Sequence, residues 1–564
     1  MQAVPGGDGD RGCAAQPRRR WDRGMAAEKL RAFEAAAGSQ RQRAASAGVP
    51  RSTAVHWRRR EAGGMDASST AAFLASPEGI VWMTRVATAA MLVILLMTGG
   101  GLRTVQVFLR LSGLSEHVAS SFGSLQQRAV RMYRMMVGFE RQERARLGQK
   151  MVAKMMSLAL DETFFPETCL VAMDPASGFI LVEKFVEQRD TPHWRHAVKR
   201  GLRGLPVNVV QSPSDEGQAI VKLVREDFEA EHTADLFHVQ HAVTVVTARP
   251  LAQAVHHAQQ DEAKAVQHVQ DCERRRDEAA QPPRSPGRPL DHGRRVNDAR
   301  DELAQATART RDAVDRQERL RVAVRGLSQQ AHPYDIATGA LRTAKEAEQG
   351  LHAHLDAAQA VVAEAGLPER TSAAIRSAGA TLASLVDTIA FFHRIVAEEL
   401  SALSMSGDVR DLLLTLLVPA HYLQRVARQT KPAAARHDVE AVARRLLDAL
   451  HASPAWQALD AATAAVLDER ALSLSALFQR SSSCVEGRNG RLSFFHHGVH
   501  TLRPVMLRCL TIVHNYVIRR DDGTTAAQRF FGHPPRELFP WLLERLGSVP
   551  RPARARAHQP QPTT

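Results

Sequence analysis

Apolar residues recur at three- and four-residue spacing over the first 150 or so positions, switch to short apolar or alternating runs between about 155 and 240, and then return to helical spacing. The first helical stretch predicts a small unit over residues 26–62: helices at EKLRAFEAA and SQRQRAASA, the turn Gly48-Val49-Pro50, and a third helix, TAVHWRRR, capped by Ser52. Residues 66–150 read as helices throughout, with VQVFLRLSGL followed by VASSFGSLQQRAVRMYRMM. The strand block predicts MMSLALD, TCLVAMD and GFILVEKF as antiparallel neighbours, the last two joined by a turn at Pro175–Gly178. A helix (TPHWRHAVKRGLR), a strand (PVNVVQS), a second helix (DEGQAIVKLVRED) and a strand at ADLFHV follow.

From about His241 to Arg480 the pattern is helical again. A polar helix, HHAQQDEAKAVQHVQDCERRRDEAA, breaks at QPPRSPGRPLDHG and resumes as DARDELAQATARTRDAVDRQERLRVAV, which allows an antiparallel coiled coil with a weak apolar heptad. Helices continue through SSSCVEGRNGRL and LRPVMLRCLTIVHNYVIRR to RELFPWLLERL. The chain is expected to divide into a basic arm (1–25), a helix-turn-helix unit (26–65), a helical region with a possible second DNA-binding unit (66–150), a strand-containing core (151–241 with 481–545), an all-helical insertion (242–480) and a disordered tail (546–564).

Charge sharpens this picture at the N-terminus. The 564-residue chain carries 74 Lys and Arg against 60 Asp and Glu, a formal net charge of +14, and half of that excess precedes Met65. The excess points to a polyanionic partner, met first by the N-terminal unit. In helix-turn-helix geometry Arg51, Ser52, Thr53 and His56 would face base edges while Arg58, Arg59 and Arg60 neutralise phosphates. The alternative is an ordinary helical hairpin with a solvated basic face. Five scattered cysteines without C-x-x-C spacing argue for a reducing cytoplasm and against zinc. Residues 1–25 lack the apolar stretch of a signal peptide, and the 17 uncharged residues Val86–Leu102 fall short of a bilayer and end in glycines, so no membrane span is expected.

Three acids stand in contexts suited to metal ligands: Asp161 in LALDETFF, Asp215 in VVQSPSDEG, and Glu486 in SSSCVEGRNG on a predicted helix. Asp161 is expected to close its strand. Gathered together, three carboxylates would hold two hard divalent cations, Mg2+ or Mn2+, against a phosphodiester. Each also has a structural alternative. Glu162, on the opposite face of a strand from Asp161, and Glu216, in a first helical turn, are the bland neighbours, and Asp174 reads as a turn residue. Asn489 shares a helical face with Glu486 and would orient it or a phosphate, or merely end the helix before Gly490. His496 and His500 have a metal-ligand spacing but no third ligand nearby. Arg491, Arg503 and Arg508 would form a basic flank for DNA.

The motifs DETFF, SPSDEG, ADLFHVQ, HPYDIATGALR, SSSCVEGRNGRL and IRRDDGTTAAQRFFGHPPRELFPWLLERL resemble a DDE transposase of the ribonuclease H and retroviral-integrase superfamily, of the insertion-sequence type with a long helical insertion before its last carboxylate. The resemblance spans most of residues 66–545. It implies an α/β fold with a ribonuclease H-like mixed sheet, its first and fourth strands side by side, plus a large all-α insertion. It also implies Asp161, Asp215 and Glu486 as catalytic metal ligands, and Asp235-x-x-His238 as similar to a signature carried after the second catalytic aspartate. Double-stranded DNA, as transposon ends and target, becomes the expected partner of a homodimer or higher oligomer in the cytoplasm. The spaced Tyr-Arg-Glu-Lys signature of one group is absent, replaced by Val485-Glu486-x-x-Asn489. Two other classes compete with this expectation: a catalytically inactive, transposase-derived DNA-binding regulator, and a helical scaffold that leaves the strand block unexplained.

Overall fold

The computed structural model describes residues 23–62, 67–165, 167–280, 290–499 and 502–552. Most of the basic arm, the 281–289 break, His500 and residues 553–564 therefore lie outside the described residues, as do the side chains of His56, Arg59 and Arg60. The chain divides into two compact units, one of residues 1–87, 112–119 and 548–564, the other of residues 88–111 and 120–547.

In the first unit, helices Arg23–Ala35, Gln40–Ser46 and Arg51–Ala62 close on a core of Leu30, Phe33, Ala44, Ala47, Val49 and Ala54, with Trp57 against it. The first helix begins at Arg23, inside the expected arm, and the third at Arg51, so Ser52 lies within it instead of capping it. Ser39 and Gln42 form a capping box that starts the second helix. Gly48, at φ +65, turns the chain between the second and third helices, a conformation costly for residues with a Cβ. The expected tail is ordered in part: Val549 N donates to Thr84 Oγ1 at 3.1 Å, and Pro550 O accepts from Ala119 N at 2.7 Å.

The second unit is an α/β structure, a mixed six-stranded sheet within a much larger body of helices. Its strands are β1 (Lys154–Ser157), β2 (Ala159–Phe165), β3 (Glu167–Asp174), β4 (Phe179–Val186), β5 (Val207–Ser214) and β6 (Glu231–Ala234). β1 and β2 follow each other along the same edge of β5, both parallel to it; β3 and β4 add antiparallel beyond β2, and β6 pairs parallel with the other edge of β5. β3 from Leu170 to Asp174 and β4 from Phe179 to Val182 are continuously buried, as strands covered on both faces must be. Helix Thr191–Leu202 packs on β4, burying Trp194. Helix Pro504–Tyr516 also packs on β4, and the Asn515 amide accepts from and donates to the Ile180 backbone at 2.9 Å each.

The 66–150 region ends in a single 27-residue helix, Phe122–Gly148, where a short second recognition helix was one expectation. Met132, Met136 and Phe139 on it are fully buried, and Phe139 meets Tyr516 and Trp541 edge-on at 5.6 and 5.4 Å. It is a buttress for the helices Pro504–Tyr516 and Leu538–Leu546. Two helical stretches, Pro77–Leu96 and Glu369–Ser401, are long and apolar enough to cross a membrane by length and composition. The first is 56% buried inside the protein over its most apolar window and ends before Gly99, which sits at φ +70.

Two strand expectations change. Asp161 does not close a strand; it pairs with Val171 in the middle of β2, which runs on through Phe165. The last strand is EHTA, and ADLFHV is not a strand: Asp235 caps helix Leu236–Ala279, its carboxylate accepting from Phe237 N. The insertion's first helix therefore begins five residues before His241, and the second helix of the core begins at Gln218, not Asp215.

That 44-residue helix and helix His292–Gln330 form a long antiparallel hairpin. Partner numbers run in opposite directions along it: Gln240 with Val324, Glu262 with Thr307, His268 with Glu302, Glu273 with Arg300. Ala299, Ala306, Ala313, Leu320 and Leu327 are buried at seven-residue spacing, a heptad seam so alanine-rich that it is faint in sequence. Beyond it, HPYDIATGALR folds as a loop around Asp335, which accepts from Ala337 N, Thr338 N and Thr338 Oγ1. Helices from Ala344 to Ser475 complete the insertion.

Candidate active site

The site is built on the two ends of the insertion. Gln211, on β5 and fully buried, spends its whole amide: Oε1 accepts from Ser157 Oγ at 2.6 Å and Gln479 N at 3.1 Å, while Nε2 donates to Thr233 Oγ1 at 2.8 Å and to Gln479 O. Leu236 N donates to Arg480 O at 3.0 Å. The insertion thus leaves the sheet and returns to it at one point, and a polar network with every amide position satisfied holds that point.

On this base β2 and β5 lie parallel with Leu160 opposite Ser214, so Asp161, within β2, and Asp215, one residue past the end of β5, each follow a member of that pair. Asp161 Oδ1 accepts from Glu162 N at 2.8 Å, and its Oδ2 accepts from Asn489 Nδ2 at 2.8 Å. Asn489 lies one turn beyond Glu486 on helix Ser483–Val499, on the same helical face. Burial pushes the Asp161 carboxyl up to about 6, and the charges of Asp215 and Glu486 add to the rise, partly offset by the Glu162 N–H and by His238. Burial also raises Glu486, as does the charge of Asp235, while His238 and His241 pull it down. Asp161, on β2, therefore lies within the field of both Asp215 and Glu486. Ser214 Oγ donates to Asp215 O at 3.0 Å and meets His232 Nε2 at 2.9 Å, fixing the backbone below Asp215.

Among the described residues, one set of three possible metal ligands has its atoms within 4.8 Å of one another: Asp235, His238 and Glu486. Asp235 is 2% exposed and its carboxylate is already engaged by Phe237 N and by Ser482 N and Oγ. Asp161, Asp215 and Glu486 are not gathered so closely: both Asp161 oxygens accept bonds, from Glu162 N and Asn489 Nδ2, and Asp215 Oδ1 accepts from Gly217 N at 3.3 Å. The Oδ1 of Asn489 is buried without a hydrogen-bond partner, a further hard donor in the same place. This oxygen-rich set suits Mg2+ or Mn2+, with His238 as an exposed neighbour. Covalent catalysis by the nearest thiol is disfavoured: burial, then the charge of Asp174, pushes Cys484 up to about 12, so it stays protonated.

Glu162 points away from Asp161, accepting from Trp194 Nε1 at 2.9 Å, and Glu216 is exposed. Asp174 holds its turn through Ala176 N and Ser177 N. Arg508, partly exposed, pairs with Glu140 at 2.9 Å. Arg491 is exposed, with its guanidinium 6.0 Å over the Phe495 ring. Arg51 and Ser52 are exposed at the start of their helix, and Thr53 and Arg58 are half-buried. His496 lies on the glutamate helix, but its proposed companion His500 is outside the described residues.

Sequence reading missed two supports. Arg488, 2% exposed, grips fully buried Glu183 of β4 through two bonds of 2.6 Å, and Thr511 Oγ1 donates to the same carboxylate at 2.6 Å. This pair anchors the glutamate helix from the side away from Glu486. Gln211 is the other. Its signal was visible as polar residues in the otherwise apolar run VNVVQSPS, which a buried strand tolerates only when each is bonded.

Residues 413–558 match the family described as DUF6399, a family of unknown function. That stretch contains Glu486, Asn489 and the helices behind them, but neither Asp161 nor Asp215. No curated protein matches the chain, and no solved structure does.

Proposed function

We propose that this chain is a DNA transposase of the DDE kind, cutting phosphodiester bonds at the ends of a mobile element and joining the freed 3′-hydroxyls to target DNA. The observation that carries the reading is that Asn489, one turn beyond Glu486, bonds directly to Asp161, which lies one position past the Leu160–Ser214 pair that precedes Asp215. The strand order supports it as well. In a ribonuclease H-like sheet the first strand lies between the second and the fourth, and here β2 lies between β3 and β5.

Asp161, Asp215 and Glu486 would hold two Mg2+ or Mn2+ ions, which when bound supply the positive charge that activates the attacking hydroxyl and stabilises the leaving oxygen. The residues themselves do the positioning. Asn489 fixes the direction of the Asp161 carboxylate, and the parallel pairing of β2 with β5 fixes its spacing from Asp215. Asp161, whose affinity for a proton is raised, would be held ionised at neutral pH by a bound cation. Water attacks first and the freed 3′-hydroxyl second, so no covalent link between protein and DNA is needed. The N-terminal three-helix unit would read the element's ends through Arg51, Ser52, Thr53 and His56, with Arg58, Arg59, Arg60 and Arg491 neutralising phosphates. Holding two ends at once calls for a homodimer or higher oligomer, working in the cytoplasm beside the nucleoid.

The test is a metal-dependent cleavage and strand-transfer assay on DNA carrying the sequences that flank the gene. Asp215→Ala and Glu486→Ala should each lower cleavage by roughly a thousandfold or more while end binding in a gel shift is unchanged. Cleavage unaffected by either substitution would remove the mechanism. Binding by the wild-type chain with no cleavage in Mg2+ or Mn2+ would favour the inactive regulator, for which the separate three-helix unit is the supporting feature.

A further inference from the structure

The structure assigns Asp235 the task of positioning Glu486, and this inference rests on the reading of the site just given. Asp235 follows β6 and caps the helix that carries His238: its Oδ1 accepts from Phe237 N at 2.8 Å. Its Oδ2 accepts from Ser482 N at 2.8 Å and also from Ser482 Oγ, 247 positions further along the chain. Ser482 is the residue just before the glutamate helix, and its carbonyl accepts from Val485 N at 2.7 Å and Glu486 N at 3.4 Å. One carboxylate therefore caps the N-termini of two helices at once, and the positive ends of both helices face it.

The geometry leads directly to the site. His238 lies in the first turn of one helix and Glu486 in the first turn of the other. A side chain shared by both caps sets the distance between them. Asp235 and Ser482 are 2% and 1% exposed, so water does not compete for these bonds. The helices flank an insertion of more than 200 residues, and without such a tie the glutamate helix would start wherever the insertion left it. Asp235 is on this account a positioning residue and not a metal ligand, although it belongs to the tightest cluster of possible ligands.

Asp235→Ser tests the assignment, because serine can still cap the first helix but cannot reach Ser482. Ser482→Ala is the milder companion, since it keeps the backbone N–H and loses only the hydroxyl. Backbone hydrogen exchange is measured on the full chain without DNA. In Asp235→Ser, residues 482–489 should exchange roughly tenfold faster, while β3 and β4 keep wild-type protection as the control for folding. Unchanged exchange at 482–489 would overturn the assignment whether or not the protein cuts DNA. In the cleavage assay, Asp235→Ser should lower kcat by roughly tenfold to a hundredfold with the half-saturating Mg2+ concentration within about twofold of wild type, and adding Ser482→Ala should cost nothing further. A tenfold or greater rise in the Mg2+ requirement, or multiplying effects in the double variant, would make Asp235 a ligand instead. If the wild-type chain shows no metal-dependent cleavage, the proposed function falls while the exchange measurement still decides the positioning role.

Discussion

The corner of the sheet where β1, β5 and β6 meet residues 477–482 and the long hairpin Leu236–Gln330 are both buried in part by polar side chains, yet they are built on opposite principles. At the corner each polar group has its own partners and one place: Gln211 alone joins Ser157, Thr233 and Gln479. Along the hairpin the contacts repeat, with small alanines every seven residues and exposed pairs such as Arg300 with Glu273. A repeating contact tolerates small shifts, because a neighbouring turn offers nearly the same partner. A unique buried network does not, since a displaced group is left unbonded at a cost of about 1–3 kcal/mol. Asp215 and the start of the glutamate helix lie beside this corner, where the hairpin also begins.

The contrast can be broken most forcefully at the buried ion pair beneath the glutamate helix. Arg488→Met leaves Glu183 charged with no counter-ion, and unfolding in urea should show a loss of about 3–5 kcal/mol. The double change Arg488→Met with Glu183→Leu should recover most of it. A single-variant loss below about 1 kcal/mol would mean that this anchor is not what holds the helix.

Asp161 gives the next effect, through pH. Its folded carboxyl titrates near 6, above its unfolded value of about 3.9. The folded state therefore holds the proton longer, and the stability it contributes is complete below about pH 4 and lost as pH rises through about 6. That loss is at most about 3 kcal/mol in the metal-free protein. Thermal unfolding should show Asp161→Asn to be more stable than wild type at pH 7.5 without metal, and equal to it near pH 4. Mg2+ or Mn2+ should raise the wild-type melting temperature at pH 7.5 and hardly at pH 5, where protons compete for the same oxygens. A metal response that is the same at both values would place the cation elsewhere.

The hairpin should respond least. Ala306→Leu overfills the seam and should cost about 1–3 kcal/mol, whereas Arg300→Ala removes an exposed pair and should cost less than about 1 kcal/mol, both measurable by denaturant unfolding. Equal costs for Arg300→Ala and Arg488→Met would erase the distinction between the two designs.

Much of the scaffold could be read from local signals. Apolar runs marked β3 and β4, Gly48 with Pro50 marked the turn between two short helices, and alternating charges suggested the paired helices. Legibility failed where a residue's role depended on a distant partner. ADLFHV looks like a strand by its apolar content, but Asp235 ends β6 and starts a helix because it can cap two helices together. The heptad of the hairpin was faint because alanine contributes little apolar surface, and Glu183 and Arg488 gave no sign that one would neutralise the other.

Periodicity, caps and turns act over a few residues, so the order of strands and helices and the identity of three candidate acids were already present in the chain. Which groups touch was settled only by folding. Asn489 reaches Asp161 across 328 positions and Asp235 reaches Ser482 across 247, distances over which no sequence pattern extends. Those contacts exist because a whole helical insertion closes on itself and returns its end to the sheet, and that closure depends on the summed packing of hundreds of residues.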